Sequence, residues 1–499
     1  MNYMMDQSPI SDKLSAVLMS DFYKFGHPEQ YPEDTQRVYS TWTPRATRLG
    51  GVEEVVCFGP QKFVQFLHSF FHQTFFSKPW EVIEADYKRF FKNTLGQDVS
   101  TERIKYLHDL GYLPLEVKAL PEGTLVPLRI PYMTIVNTDD ECFWLTNFVE
   151  TMGSSELWQM ATSATISYRY RKMLDAYALE TGGPLEFVQF QGHDFSFRGM
   201  GGIYSAMDSG MGHMLGFKGT DTAPAITALE HYYDANIEQE LVGTSVWATE
   251  HSVMCAGGDG ENEFNTFDRL ISKVYPMGIV SIVSDTWDFW GVLLNFLPRL
   301  KDKIMSRDGK VVIRPDSGDP VKIVCGDPDA ATEWERKGAV EVLWDLFGGT
   351  TTEKGFKQLD DHIGLIYGDA ITYDRCKEIC ERLKAKGFAT TNLVYGIGSF
   401  TYQYNTRDTL GFALKSTHAK VAGLEKHIQK DPKTDDGTKK SACGRVAVYE
   451  REGTLCLEDR LHADDEPSFG EDLLQTIYEN GQGFNRQTLS MIRERLGTL

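Results

Sequence analysis

KVVIRPDSGDP, residues 310–320, is a short apolar run that ends abruptly in a charged turn. A run of this length is too short for a helix and suits a strand buried on both faces. RPDSGDP then sets a cation, two carboxylates, a hydroxyl and a glycine on one turn directly after it. The same unit recurs on either side. Residues 185–190 precede QGHDFSFRG, 215–218 precede GTDTA and the helix-like PAITALEHYYDA, and 244–248 precede TEHS. Residues 279–283 precede SDTWD, 364–367 precede GDA and the helix-like TYDRCKEICERLKAKG, and 392–395 precede GIGS. Seven such units within about two hundred residues predict alternating strands and helices around a parallel sheet, an α/β fold. Polar residues follow nearly every apolar run instead of gathering at one switch point. An irregular β/α barrel, with its site at the C-terminal strand ends, accounts for this better than an open doubly wound sheet.

Further out the pattern changes. VYSTWTP, EVVCFGP, LPLEVKALPEGTLVPLRIPYMTIVN and GRVAVYEREGTLCLED alternate in the manner of antiparallel strands, with a helix-like piece around residues 63–76. The expected organisation is a barrel over residues 151–399 and a flanking β-rich α+β domain built from residues 1–150 and 400–499. Residues 426–441, rich in Lys, Asp, Pro and Gly without an apolar period, read as an exposed, mobile loop.

Composition narrows the function. The 499 residues are 41% hydrophobic and 24% charged, enough for a large core. A net charge of −20 excludes an ordinary duplex nucleic-acid binder, so any phosphate site must rest on a local basic cluster. No apolar window reaches membrane length, and MNYMMDQSPISDKLS lacks the basic start and apolar run of a secretory signal. The eight cysteines are scattered, and Cys376 and Cys380 alone lie close, one helical turn apart. Free thiols in a reducing cytoplasm are expected, with no membrane contact.

Four motifs offer chemistry. In RPDSGDP, Asp316 can hold ribose hydroxyls while Arg314 faces a phosphate or a ring, although an Arg–Asp pair bracing a turn needs no ligand. GTDT sets Asp221 between hydroxyls at a helix start, where by itself a plain cap is the better reading. HDFSFRG combines His193, Phe195 and Arg198, and an aromatic in a polar loop can stack on a heteroaromatic ring or simply be buried. EHS sets His251 beside Glu250, which suits proton or phosphoryl transfer as well as a structural histidine. HExxH, Walker and GxGxxG motifs are missing from the sequence.

Taken in order, these motifs resemble the nicotinamide phosphoribosyltransferases, of the type II phosphoribosyltransferase family. SDFYKFGHPEQYP, ECFWLTNFVET, HDFSFRG, GFKGTDT, SVWATEHS, VSDTWD, IRPDSGDP, YGDA, TRD and EDLLQTIYENG carry the likeness along nearly the whole chain. The resemblance implies a barrel with a flanking β-rich domain, working as a homodimer with shared sites. It implies synthesis of nicotinamide mononucleotide and pyrophosphate from nicotinamide and 5-phosphoribosyl 1-pyrophosphate, coupled to ATP, with Mg2+ on the pyrophosphate groups. His251 is then the histidine phosphorylated by ATP, with Glu250, Arg314 and Asp316 completing the catalytic set. Phe195 stacks on nicotinamide, and Tyr23 of the partner closes the other face with Asp21 nearby. Asp221 accepts the carboxamide NH2, and Arg198 and Arg314 line the base and pyrophosphate region. Asp316, Gly368 and Asp369 match ribose-binding positions, while Gly398, Arg407 and Lys415 match the phosphate end, Lys415 acting across the dimer. Lys430 and Lys439 or Lys440 match a loop that handles ATP or pyrophosphate, and Ser245, Ser284 and Asp288 join the substrate-binding set.

The chain departs from the family pattern at the phosphate end, where Ser399 and Phe400 replace glycines and Ala413 replaces a serine. Two rival readings stay open. One is a nicotinate phosphoribosyltransferase, against which an ionised Asp221 argues by charge repulsion. The other is a non-catalytic barrel that keeps a ligand pocket.

Overall fold

The computed structural model describes residues 10–430 and 441–499. Two compact units emerge: one comprises Ser163–His231, Ala235–Asn405 and Gly497–Leu499, the other Met1–Thr162, Tyr232–Asp234 and Thr406–Leu496. The division falls inside the 32-residue helix Glu150–Thr181, so no break in local pattern marks it.

The first unit is the barrel. Its strands are β1 (Gly192–Asp194), β2 (Gly219–Thr220), β3 (Trp247–Ala248), β4 (Val280–Val283), β5 (Val311–Arg314), β6 (Ile363–Tyr367) and β7 (Leu393–Ile397). Except between β2 and β3, each pairs in parallel with the next, β7 pairs with β1, and a parallel bridge from Gly219 to Thr244 joins β2 to the segment leading into β3. The ring therefore closes with seven strands in sequence order. Helices such as Ile203–Gly216, Ala223–Tyr233, Glu261–Arg269 and Tyr373–Ala385 form the crossovers.

Two of the expected strands are displaced. Residues 185–190 belong to helix Leu185–Gln191, and Leu215 and Gly216 end helix Ile203–Gly216. A short buried helical face carries the same apolar run as a buried strand, so the true strands β1 and β2 begin only at the glycines that follow.

Alternation along the strands decides what the interior holds. On β5 and β6 the inward rows are Lys310, Val312, Arg314 and Gly364, Ile366, Gly368. With Gly219 on β2, Ser281 on β4 and Gly364 on β6 lining the interior, the barrel is not filled by side chains, and a cavity of about 1100 Å3 runs along its axis. It reaches from Ile279 and Lys310 at the N-terminal strand ends to Phe195 and Asp221 at the C-terminal ends.

The second unit holds a seven-stranded antiparallel sheet. Its order is Leu424–His427, Phe412–Val421, Thr35–Pro44, Met133–Asn137, Leu115–Ala119, Gln475–Glu479 and Gln482–Gly483, so both chain ends build it. The hairpin Arg445–Arg451/Thr454–Leu461 belongs to the same unit. Its core centres on Trp42, Phe63, Phe71, Phe75, Tyr132 and Phe412, with Trp42 stacked on Phe412 at 5.2 Å. All eight cysteines are free thiols, six of them buried, Cys456 partly exposed and Cys255 exposed. Among the described residues no helix is long and apolar enough to cross a membrane.

Candidate active site

A second cavity, of about 920 Å3, opens at the C-terminal ends of the barrel strands. It gathers Phe195, Arg198, Asp221, Glu250, His251, Arg314, Asp316, Gly368, Asp369 and Gly398 from the ends of six different strands. This cavity and the axial one share Phe195 and Asp221.

Phe195 follows β1, with its ring 4.8 Å from the His193 ring and 5.9 Å from the Arg314 guanidinium carbon. Gly396 on β7 makes room for it, since a Cβ there would lie 2.6 Å from the Phe195 ring. Asp221, just beyond β2, uses Oδ1 to accept from Ser245 Oγ at 2.5 Å and meets His193 Nε2 at 2.9 Å. Among the described residues, Oδ2 accepts no hydrogen bond. Burial pushes the Asp221 carboxyl up, but the His193 hydrogen bond and charge, the Ser245 hydroxyl and the Arg314 charge more than offset this and hold it below its ordinary value. Asp221 is thus ionised and lines the same cavity as Phe195. His193 was not singled out as a binding residue in the sequence, although it heads the motif HDFSFRG.

Asp316 lies 3.3 Å from Arg314 Nε through Oδ1. Gly368 admits that carboxylate, because a Cβ would meet Asp316 Oδ1 at 1.9 Å. Burial raises the Asp316 pKa, the Asp285 charge adds to it, and Arg314 and His251 oppose it without cancelling it. Asp285 ties the turn together: its Oδ2 accepts from the Asp316 and Ser317 amides at 2.8 and 2.7 Å and from Ser317 Oγ at 2.6 Å. Its other oxygen lies 3.3 Å from His251 Nε2. Glu250, which the sequence suggests as the orienting group, instead accepts from the Ser252 hydroxyl. The carboxylate against the imidazole is Asp285, which sequence reading passed over inside VSDTWD. Its signal lay in adjacency of strand ends, since His251 follows β3 and Asp285 follows the neighbouring β4.

Other expected residues lie apart from this cavity. Ser284 is fully buried and donates to the Ile282 carbonyl, and Asp288 caps the short helix Phe289–Gly291. In the β-rich unit, Asp21, Tyr23 and Arg407 line a cavity of about 390 Å3 together with Glu150 and Trp158. Lys415, on strand Phe412–Val421, has its pKa lowered by burial and by Arg45, Lys430 and Arg407, with Glu150 opposing. These cations form a local basic cluster in a strongly acidic chain. Ser399 packs its hydroxyl against Gly199, Phe400 stacks on Tyr404 at 5.1 Å, and Ala413 is buried. Lys439 and Lys440 lie outside the described residues.

Residues 190–482 match the nicotinate phosphoribosyltransferase (NAPRTase) family, and residues 15–117 match the nicotinamide phosphoribosyltransferase N-terminal domain. The chain is 50% identical over 501 residues to the nicotinamide phosphoribosyltransferase of Acinetobacter baylyi, covering 98% of each. In fold it resembles the nicotinate-nucleotide pyrophosphorylase of Pyrococcus furiosus, with a TM-score of 0.58 at 17% identity over 99% of this chain and 96% of that one. Human nicotinic acid phosphoribosyltransferase gives a TM-score of 0.57 at 14% identity over 96% and 93%. The chain belongs to the nicotinate phosphoribosyltransferase family, with full-length kinship to its nicotinamide phosphoribosyltransferases.

Proposed function

We propose that this enzyme transfers the phosphoribosyl group of 5-phosphoribosyl 1-pyrophosphate to the ring nitrogen of nicotinamide, giving nicotinamide mononucleotide and pyrophosphate for NAD salvage in the cytoplasm. The observation that carries the choice of base is Asp221, ionised and lining the same cavity as the Phe195 ring. A charge-assisted hydrogen bond from a carboxamide contributes roughly 1.5–3 kcal/mol, whereas the carboxylate of nicotinate meets the same oxygen as a like charge. Stacking on Phe195 favours both rings equally and cannot separate them. Discrimination therefore rests on one side chain.

The reaction asks for placement more than for a strong base. Loss of pyrophosphate leaves positive charge on the ribose C1, and the pyridine nitrogen, already a free base, attacks it. Asp316 and Asp369 offer acceptors for the ribose hydroxyls, and Arg314 and Arg198 offer cations toward the pyrophosphate. The oxygens of Asp316 and Asp285 also suit a hard cation, and Mg2+ held there with the pyrophosphate would neutralise the leaving charge. His251, steered by Asp285, is the group we assign to phosphoryl transfer from ATP. A homodimer is the working form, in which Tyr23, Arg407 and Lys415 of the partner complete each barrel site.

Asp221→Ser tests the base assignment. The ratio of kcat/KM for nicotinamide to that for nicotinate should be at least about a hundredfold in the wild type and fall by at least about tenfold in the variant. An unchanged ratio would leave Asp221 as a structural partner of His193 and Ser245 only.

A further inference from the structure

Outside the catalytic cavity, the edge of the β-rich unit gathers three histidines and a glutamate. His418 and His427 are direct cross-strand partners on the hairpin Phe412–Val421/Leu424–His427. Glu425 lies on the second of these strands, and His462 immediately follows strand Thr454–Leu461. His418 Nε2 is 2.8 Å and His462 Nδ1 3.5 Å from the same oxygen, Glu425 Oε2. The His427 ring lies 4.5 Å from the His462 ring and 6.1 Å from the His418 ring, centroid to centroid.

Hydrogen bonding alone does not account for this grouping. His418 is 99% buried, and its Nδ1 has no partner, nor does the buried Nε2 of His427. Buried polar atoms are rarely left unpaired, and two of them mark this cluster as incompletely bonded. One ligand atom each from His418, Glu425 and His462 fall within 4.8 Å of one another. Ligands at about 2.0–2.1 Å from a tetrahedral ion lie roughly 3.3 Å apart, a spacing that the two observed separations bracket. The Ala463 amide donates to Glu425 at 3.0 Å and fixes the carboxylate, while Asp465 accepts from the His462 amide at 2.7 Å.

We propose that His418, Glu425 and His462, with the His427 ring packed beside them, bind a divalent transition-metal ion of the zinc class. Imidazole-rich donors favour zinc, cobalt or nickel, whereas magnesium and calcium demand a shell of oxygens. The ion links three strands of one unit and clamps the segment that leads into residues 426–441 against the hairpin that follows it. Its role is structural, since a site with several protein ligands closes around the metal.

The test uses the untagged full-length protein, stripped with a chelator and titrated with zinc chloride in a calorimeter with millimolar Mg2+ present. One equivalent of zinc per chain should bind at micromolar concentration or below, and the thermal midpoint should rise with it. His462→Ala removes a half-exposed ligand without disturbing the core, and Glu425→Gln removes the shared oxygen. Each should weaken zinc binding at least about tenfold, the loss seen even for a partner of a ligand. Zinc uptake that is absent in the wild type, displaced by Mg2+, or unaltered in His462→Ala overturns the proposal.

Discussion

Asp285 illustrates how one carboxylate can serve two neighbours. One oxygen fastens the RPDSGDP turn through two amides and a hydroxyl, and the other faces the imidazole of His251. An imidazole that accepts a phosphoryl group must be held in one tautomer and orientation, as in other Asp–His pairs. Asp285→Asn should therefore lower phosphohistidine formation from labelled ATP by at least about tenfold, while Glu250→Gln changes it by less than about threefold. If the two variants behave alike, Asp285 serves only the turn. The identities of Phe195, Asp221, His251, Arg314 and Asp316 were legible because each sits within a few residues of a strand end in a motif of unusual chemistry. Asp285 and His193 were not, because their roles arise from side chains meeting across adjacent strand ends, and linear spacing carries no trace of that. Ser284 and Asp288 flank Asp285 in the sequence yet point to a backbone carbonyl and a helix start.

At the scale of elements, the barrel was visible as seven apolar runs, and seven strands are what closes. Placement failed where strands shrink to two or three residues, at β1 and β2, because a run of that length has no period of its own. The antiparallel sheet was easier, since the alternation in Leu115–Ala119 persists through enough residues to be read and Thr35–Pro44 is long. One connection carries a charge that alternation could not announce. Glu122, in the turn after Leu115–Ala119, is 1% exposed, accepts from the Gln61 amide at 2.7 Å, and leaves Oε2 without a partner. Burial pushes its pKa up from 4.5 to about 7, against the pull of the Gln61 and Gly59 amides and Arg495. A carboxyl whose pKa is raised by folding adds stability below its ordinary value and loses it as the pH climbs through about 7. The thermal midpoint should accordingly fall between about pH 4.5 and pH 7 and level off above, with roughly 3 kcal/mol as the upper bound for this group. Glu122→Gln should flatten that fall, and a slope unchanged by the substitution would move the effect elsewhere.

For the molecule as a whole, the informative experiment concerns how many chains make one site. Tyr23 is exposed in its own unit, with Arg407 beside it in a cavity that contains no barrel residue. If a partner supplies them, Tyr23→Ala and Asp316→Ala chains are each inactive alone but complement in mixed dimers. Random mixing should restore about a quarter of wild-type turnover, one competent site in half of the dimers. Recovery near zero would return both residues to a single chain. The pattern of thiols adds a practical consequence. With six cysteines buried and Cys456 partly covered, Cys255 is the one fully open to reagents, and it sits on helix His251–Gly257, one turn past His251. A substoichiometric maleimide fluorophore will therefore settle chiefly on that helix, so that the native chain carries its own attachment point for an optical reporter one turn from His251.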